Sequence, residues 1–398
     1  MIGWIQLSRS AVARAEEALK SDSQGVLDEV GFLALHQAFA DRFFPGTSVL
    51  HTRLRYVLFV PWLMMAAKGN PAVLRKNELA LIRQLKTHPD ASKGVIGGTN
   101  LLELPSQTPS MIYWSALSRW GILRPRADGV SLSRKQILKR LEAMHQQAGN
   151  PRQDVDGEPL FESETSPFAQ LPAAPPELLK DNQTLDFRLS KDERAFVRRQ
   201  LLGLRRTPES SEQSLLARLV EKRLPVADID EPWDPRICDV AAEDDRRALL
   251  LAKNMSALAC IGRAVYAALV EQLKAGESRE CPTLHRDRLE QVVEIYGEAA
   301  LALDITALEV TIPGLSAPLR EVMRATQQWL DSDTASFSIV QQVYTGAERA
   351  RKGARARLPT NLAGRKRRAE WESETHPLAR PLHYRWDNVR TLLEDLRN

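Results

Sequence analysis

EDDRRALLLAKNMSALACIGRAVYAALVEQLK, Glu243–Lys274, is the stretch whose reading decides the fold class. Three acids, Glu243, Asp244 and Asp245, open it, and Lys274 followed by Gly276 closes it. Acids first and a base with glycine last match the helix dipole and the usual terminator. At 1.5 Å per residue such a helix spans about 48 Å, enough to serve as the backbone element of a domain.

The same periodicity extends to both sides. Downstream, Leu289, Val292, Val293, Tyr296 and Ala300 share one helical face, as do Trp386, Val389, Leu393 and Leu396 near the end. Upstream, Phe32, Leu35, Phe39 and Phe43 form an apolar stripe that Pro45-Gly46 stops. Thr47 or Ser48 is expected to cap a following helix running through Arg53 and Arg55 into Tyr56–Met65, bent at Pro61. Residues 88–108 read as a long loop containing Gly97-Gly98. Thr108 and Pro109 then start a helix carrying Met111, Trp114 and Leu117 and ending at Gly121. Two short strands are expected around Asp128-Gly129, and Ser133 with Gln136 forms a capping box for a helix with Ile137, Leu138, Leu141 and Met144 inward. Ser190 and Glu193 form a second box, ahead of Phe196, Val197, Leu201 and Leu202.

A predominantly α, multi-domain protein follows, 398 residues being enough for two or three packed units. Residues 1–149 read as a basic helical N-terminal domain with the material of a winged-helix-like unit. Residues 150–185, rich in proline from Pro151 to Pro176, read as a linker or strap marking a boundary. Residues 186–333 read as an acidic helical domain, and residues 334–398 as a basic segment with a C-terminal helix.

Charge is segregated in a way the overall net of +4 hides. Residues 1–150 carry a net +8, residues 151–333 a net −10 and residues 334–398 a net +6. Such asymmetry bears on partners more than on fold. Cys238, Cys260 and Cys281 have neither disulfide-framework nor zinc-ribbon spacing, and the charged start lacks the uncharged core of a signal peptide. A cytoplasmic protein is expected. The longest uncharged apolar run, Tyr56–Ala67, is too short to span a membrane, so no membrane partner is expected.

The run from Arg349 to Arg368 is the strongest functional candidate. Arg349, Arg351, Lys352, Arg355, Arg357, Arg365, Lys366, Arg367 and Arg368 lie in it without an acid among them. Neutralising phosphates with such a set releases counterions and gives salt-sensitive, sequence-independent affinity for DNA or RNA. The same cations could instead face an acidic protein surface, including the acidic middle of this chain, or simply water. Arg53 and Arg55 are candidates for bidentate contact with a phosphate or a partner carboxylate, against an internal ion pair such as one with Asp41. Tyr113, Trp114 and Trp120 would stack bases in a winged-helix setting or fill a core at helical spacing.

Catalytic signals are missing from the sequence. Seven histidines are scattered without an i, i+4 pair, and Cys281 with His285 makes two ligands, short of a metal site. Gly97-Gly98 lacks the features of a phosphate loop, and no nucleophile elbow or triad pattern occurs. No cofactor is indicated.

Several phrases recur in a familiar order: Gly3-Trp4-Ile5, Phe44-Pro45-Gly46-Thr47-Ser48, Thr52-Arg53, Arg55-Tyr56 through Pro61-Trp62, Tyr113-Trp114, Trp120-Gly121-Ile122 and Tyr384-Arg385-Trp386. Together they resemble an uncharacterised bacterial family known only as a domain of unknown function and encoded beside phage-defence helicases and nucleases. The similarity is expected over nearly the full chain and brings no catalytic residues. It implies a non-catalytic nucleic-acid-binding subunit or adaptor of an antiviral or DNA-processing complex, with a helicase or nuclease subunit as partner. The alternatives are a protein-protein scaffold and a nuclease whose carboxylates converge only in the fold.

Overall fold

The computed structural model describes residues 28–88, 94–125, 129–149, 166–277, 282–332 and 336–398. The chain divides into two compact units, each built from separated segments. A long-helix unit takes residues 1–40 and 231–384, and a strap unit takes residues 41–230 and 385–398. These bounds do not follow the contiguous segments read from composition. Among the described residues the architecture is helical, with no strand and two isolated antiparallel bridges, Leu123 to Phe168 and Arg205 to Gln213.

The long-helix unit is organised by the helix Glu243–Ala275, 33 residues long, with its three acids in the first turn and Lys274 in the last. Every residue from Met255 to Glu271 is buried, so this segment is wrapped on all sides rather than along one stripe. By length and composition it could cross a membrane, yet 72% of its most apolar window is buried inside the protein. Leu284–Leu301 packs along it, as does Ala317–Asp331, which pairs with Ser338–Lys352. Small residues let partners in close. A Cβ added at Gly262 would stand 2.6 Å from the Phe32 ring and 3.0 Å from the Tyr344 hydroxyl.

In the strap unit, Tyr56–Ala66 is apolar on all sides and buried from Tyr56 to Met64, with Pro61 inside it. Residues 166–185 form a non-helical strap that turns at 176–179 and 181–182. Gln84 holds this strap by donating to the carbonyls of Glu177 (2.8 Å) and Lys180 (3.0 Å) and accepting from the Leu179 amide (3.0 Å). Trp62 adds a bond to the Pro172 carbonyl at 3.1 Å. One glutamine and one tryptophan thus satisfy backbone that no regular structure pairs. Residues 150–165 lie outside the described residues.

Both capping boxes form. Ser190 and Glu193 exchange bonds of 2.9 and 3.3 Å, and Ser133 and Gln136 bonds of 2.8 and 3.4 Å. Thr47 and Ser48 do not cap a helix. The Thr47 hydroxyl donates back to the Phe44 carbonyl (2.6 Å), Ser48 Oγ accepts from the Leu50 amide, and the helix starts at Tyr56. The reason is that the amides before it are engaged elsewhere: Thr52 and Arg53 donate to the Tyr113 hydroxyl and Leu54 to Asp395. The winged-helix-like reading lacks its hairpin among the described residues. In the stretch 121–130, read as two short strands, Leu123 bridges to Phe168 of the strap, while Asp128 lies outside the described residues.

Candidate nucleic-acid interface

The basic run occupies three neighbouring pieces of the long-helix unit: the end of Ser338–Lys352, the 3-10 turn Gly353–Arg355 and the helix Leu362–Ala369. Asn361 starts that last helix by accepting from the Gly364 amide at 2.9 Å. Gly364 is required there, because a Cβ would collide with the Pro359 carbonyl oxygen.

Four of the nine cations are committed to acids distant in sequence; three are buried or half-buried, and Arg351, itself 43% exposed, reaches a largely buried partner, Asp28. Arg368 is fully buried: its Nε donates to Glu277 (3.2 Å), and its Nη1 donates to the Pro359 carbonyl (2.8 Å) and to the Arg357 carbonyl. It therefore clasps the loop that precedes its own helix. Lys352 pairs with Glu29 at 3.0 Å, and Arg357 approaches the same carboxylate at 3.6 Å. Arg351 pairs with Asp28. Glu348, wholly buried, completes the lock by accepting from the Tyr266 hydroxyl (2.6 Å) and from the amides of Arg357 (2.9 Å) and Leu358 (2.8 Å). Buried carboxylates need this density of donors, since an unpaired charge in the interior costs several kcal/mol.

Electrostatics follow the packing. Burial, with Glu29 and Glu348 beside it, pushes the Tyr266 phenol well above its ordinary value. Burial also raises the Asp28 carboxyl, outweighing the Leu33 amide and Arg351. The hydrogen bond from Arg368 holds the Glu277 carboxyl below the usual range. For Arg357, burial is outweighed by Tyr266, Glu29 and Glu348, and its pKa rises.

The other five face outward. Arg349, Arg355 and Lys366 are exposed and make no ion pair among the described residues. Arg365 is 63% exposed with Glu277 at 3.4 Å, and Arg367 is 42% exposed with Glu370 at 2.8 Å. Exposed pairs of this kind are worth about 0–1 kcal/mol, so a phosphate can displace the carboxylate.

Arg53 and Arg55, in the strap unit, are internal. Arg53 makes a bidentate pair with Asp395, 2.7 Å at its shortest, and lies over the Phe187 ring. Arg55 reaches Glu193 at 2.8 Å and Asp186 at 3.2 Å. Asp41, the expected partner, binds Arg385 instead, at 2.6 Å, and Arg385 also donates to the Thr47 carbonyl at 2.8 Å. That second anchor holds Arg385 in a left-handed conformation, φ 64°, that costs a non-glycine residue about 1 kcal/mol or more.

The aromatic phrases around Tyr113, Trp120 and Trp386 are packing; Trp114 is half-buried, and Gly3-Trp4-Ile5 lies outside the described residues. Tyr113 is fully buried, Trp120 nearly so, and His51 stacks on Tyr113 with ring centres 4.3 Å apart. Trp120 Nε1 donates to the Pro45 carbonyl at 2.9 Å and lies where any side chain at Gly46 would go. Trp386 is buried against Phe44 and donates to the Ile229 carbonyl at 2.8 Å. Burial lowers His51 to about 4, keeping it neutral inside this cluster. Among the described residues, no three His, Cys, Asp or Glu side chains come together as a metal set; Cys281 lies outside them.

The partners Asp28, Glu29, Glu277 and Asp395 carried no signal in the sequence, because they are far from their cations along the chain. Arg351 and Asp28 are 323 positions apart.

Residues 1–137 match the model described as Family of unknown function (DUF6361). The match ends there, short of the near full-length similarity expected, and leaves out both the basic run and Tyr384-Arg385-Trp386. No curated protein and no solved structure matches the chain.

Proposed function

We propose that the protein is a non-catalytic nucleic-acid-binding component that engages the phosphate backbone through the outward part of its basic run. The observation that carries this reading is the exposure of Arg349, Arg355 and Lys366 without ion-pair partners among the described residues, with Arg365 and Arg367 in exchangeable pairs beside them. Arg351, Lys352, Arg357 and Arg368 hold the platform and do not touch the ligand. With so few cations facing the phosphates, binding is modest and non-specific in sequence, with a salt slope of about −0.9 for each phosphate neutralised. Glu372 and Glu374, exposed just beyond the helix, limit the extent of the surface on that side. The setting we assign with it is the one the family resemblance implies: a cytoplasmic antiviral or DNA-processing assembly with a helicase or nuclease subunit.

The test is the affinity for labelled duplex and single-stranded DNA across a salt series, for the wild type and a variant combining Arg349→Ala, Arg355→Ala and Lys366→Ala. The log-log slope for the duplex should flatten by about 0.9 for each phosphate that is no longer neutralised. A slope unaltered by the three substitutions would overturn the assignment and favour a protein scaffold.

A further inference from the structure

The strap unit holds a groove of about 460 Å³ lined by four arginines and no acid. Its walls are three helices, Lys191–Leu202, Leu215–Lys222 and Trp386–Arg397. Four guanidinium groups line it: Arg194, Arg198, Arg223 and Arg397. Leu224, half-buried, contributes apolar surface to the same lining, over a floor of the nearly buried Leu219, Val220, Leu393 and Leu396.

Among the described residues, none of the four makes an ion pair. Arg194 reaches only the Leu189 carbonyl and Arg198 only the Glu221 carbonyl, both at 3.4 Å, and the Arg194 Nε is buried without a partner. Burial and the neighbouring Arg223 both pull the Arg198 pKa down, the mark of like charges facing one another. Arg194 and Arg198 are four apart on one helix, a spacing at which like charges repel. Arg223 and Arg397 complement the C-terminal ends of their own helices, which explains each singly and leaves their convergence on the other two unexplained.

The two buried carboxylates of these helices are committed elsewhere. Glu193, on the first of these helices, binds Arg55, and Asp395, on the third, binds Arg53. Two interior ion pairs thus withdraw the buried acids of the groove's walls, and Asp192, Glu221 and Glu394 on the same helices do not line it.

We propose that this groove is a docking site for an acidic peptide segment of a partner protein that carries apolar anchor side chains. Guanidinium forks take carboxylates bidentately, and the leucine lining rewards an apolar side chain inserted between them. A phosphate backbone would satisfy the arginines and leave that lining unused. The volume falls in the range of ordinary ligand pockets and admits a few side chains. This inference does not rest on the nucleic-acid reading, which concerns the other unit.

The experiment is fluorescence anisotropy on the full chain with a fluorescein-labelled amphipathic peptide built from Glu and Leu. Parallel arms use the same peptide with every Leu replaced by Ser, and labelled oligothymidylate. The wild type is expected to bind the Glu/Leu peptide. Combining Arg198→Glu with Arg223→Glu should weaken it at least about tenfold, as loss of close charge pairs does at interfaces. The Ser peptide and the oligonucleotide should bind correspondingly more weakly, and the Arg349→Ala, Arg355→Ala, Lys366→Ala variant should bind the peptide as the wild type does. Should circular dichroism show the charge-reversed protein unfolded, Arg198→Gln with Arg223→Gln takes its place with the same expected direction. No binding of the Glu/Leu peptide to the wild type, binding indifferent to these substitutions, or oligothymidylate binding as tight as the peptide would each overturn the proposal.

Discussion

Arginines in the two units meet opposite fates, and the sequence displays only one of the groups. The run Arg349–Arg368 is conspicuous in sequence, yet Arg351, Lys352, Arg357 and Arg368 are spent on internal acids. Arg194, Arg198, Arg223 and Arg397 are dispersed over some two hundred positions, yet they line one groove without an acid among the described residues. Density of charge along the chain therefore does not report the charge available at the surface. What decides availability is whether the fold brings a carboxylate to each cation, and the sequence does not carry that pairing locally.

The largest effects that would sharpen the contrast are expected from Arg55→Ala and Arg368→Ala. Arg55→Ala strands Glu193 in the strap unit, which should cost roughly 3–5 kcal/mol in urea unfolding. Arg368→Ala empties a fully buried position and leaves two loop carbonyls without their donor, while Glu277 keeps Arg365; the expected cost is about 2–4 kcal/mol in urea unfolding. If either substitution costs under about 1 kcal/mol, the inward cations are not structural.

Acid should weaken both units through one histidine in each, fully buried at His51 and half-buried at His376. Burial lowers His51 of the strap unit and His376 of the long-helix unit from 6.5 to about 4. A depressed histidine binds fewer protons folded than unfolded between those values. Its contribution is complete above pH 6.5 and is lost as the pH falls toward 4. Thermal melts should therefore drop across that interval, and His51→Gln should make the drop shallower. A melting temperature flat from pH 7 to pH 4.5 would contradict the burial of both rings.

Smaller again is Arg53→Ala. Its guanidinium is 27% exposed and Asp395 keeps the Leu54 amide, so a loss of roughly 1–3 kcal/mol is expected by denaturant titration. The smallest effect on stability belongs to Arg349→Ala with Arg355→Ala and Lys366→Ala, expected within about 0.5 kcal/mol of the wild type per site because none has an ionic partner to lose.

Helix positions were legible at most local signals, although the helix read from Thr108 to Gly121 is two short ones, Pro109–Ile112 and Trp114–Arg119, and Thr108 makes no side-chain cap bond. The acids and Lys274 bracket a helix that runs Glu243–Ala275, and both capping boxes form at Ser133 and Ser190. Elements that depend on distant residues were not legible. Thr47 and Ser48 look like caps, but Tyr113 and Asp395, remote in sequence, take the amides that would have continued a helix upstream of Tyr56. The same holds for the site: Arg53 was visible as a cation seeking a partner, but Asp395, 342 positions away, was not identifiable as that partner. Gln84 gathering the strap is another long-range device without a local pattern.

The division of the basic run into an inward lock and an outward face is tested most directly by duplex-DNA salt slopes of two variants measured together. One combines Arg349→Ala, Arg355→Ala and Lys366→Ala; the other is Arg368→Gln, studied at a temperature where it remains folded. The division predicts a slope flattened by about 0.9 per phosphate left without its cation in the first variant and a wild-type slope in the second. A slope flattened by Arg368→Gln and untouched by the triple substitution would contradict it.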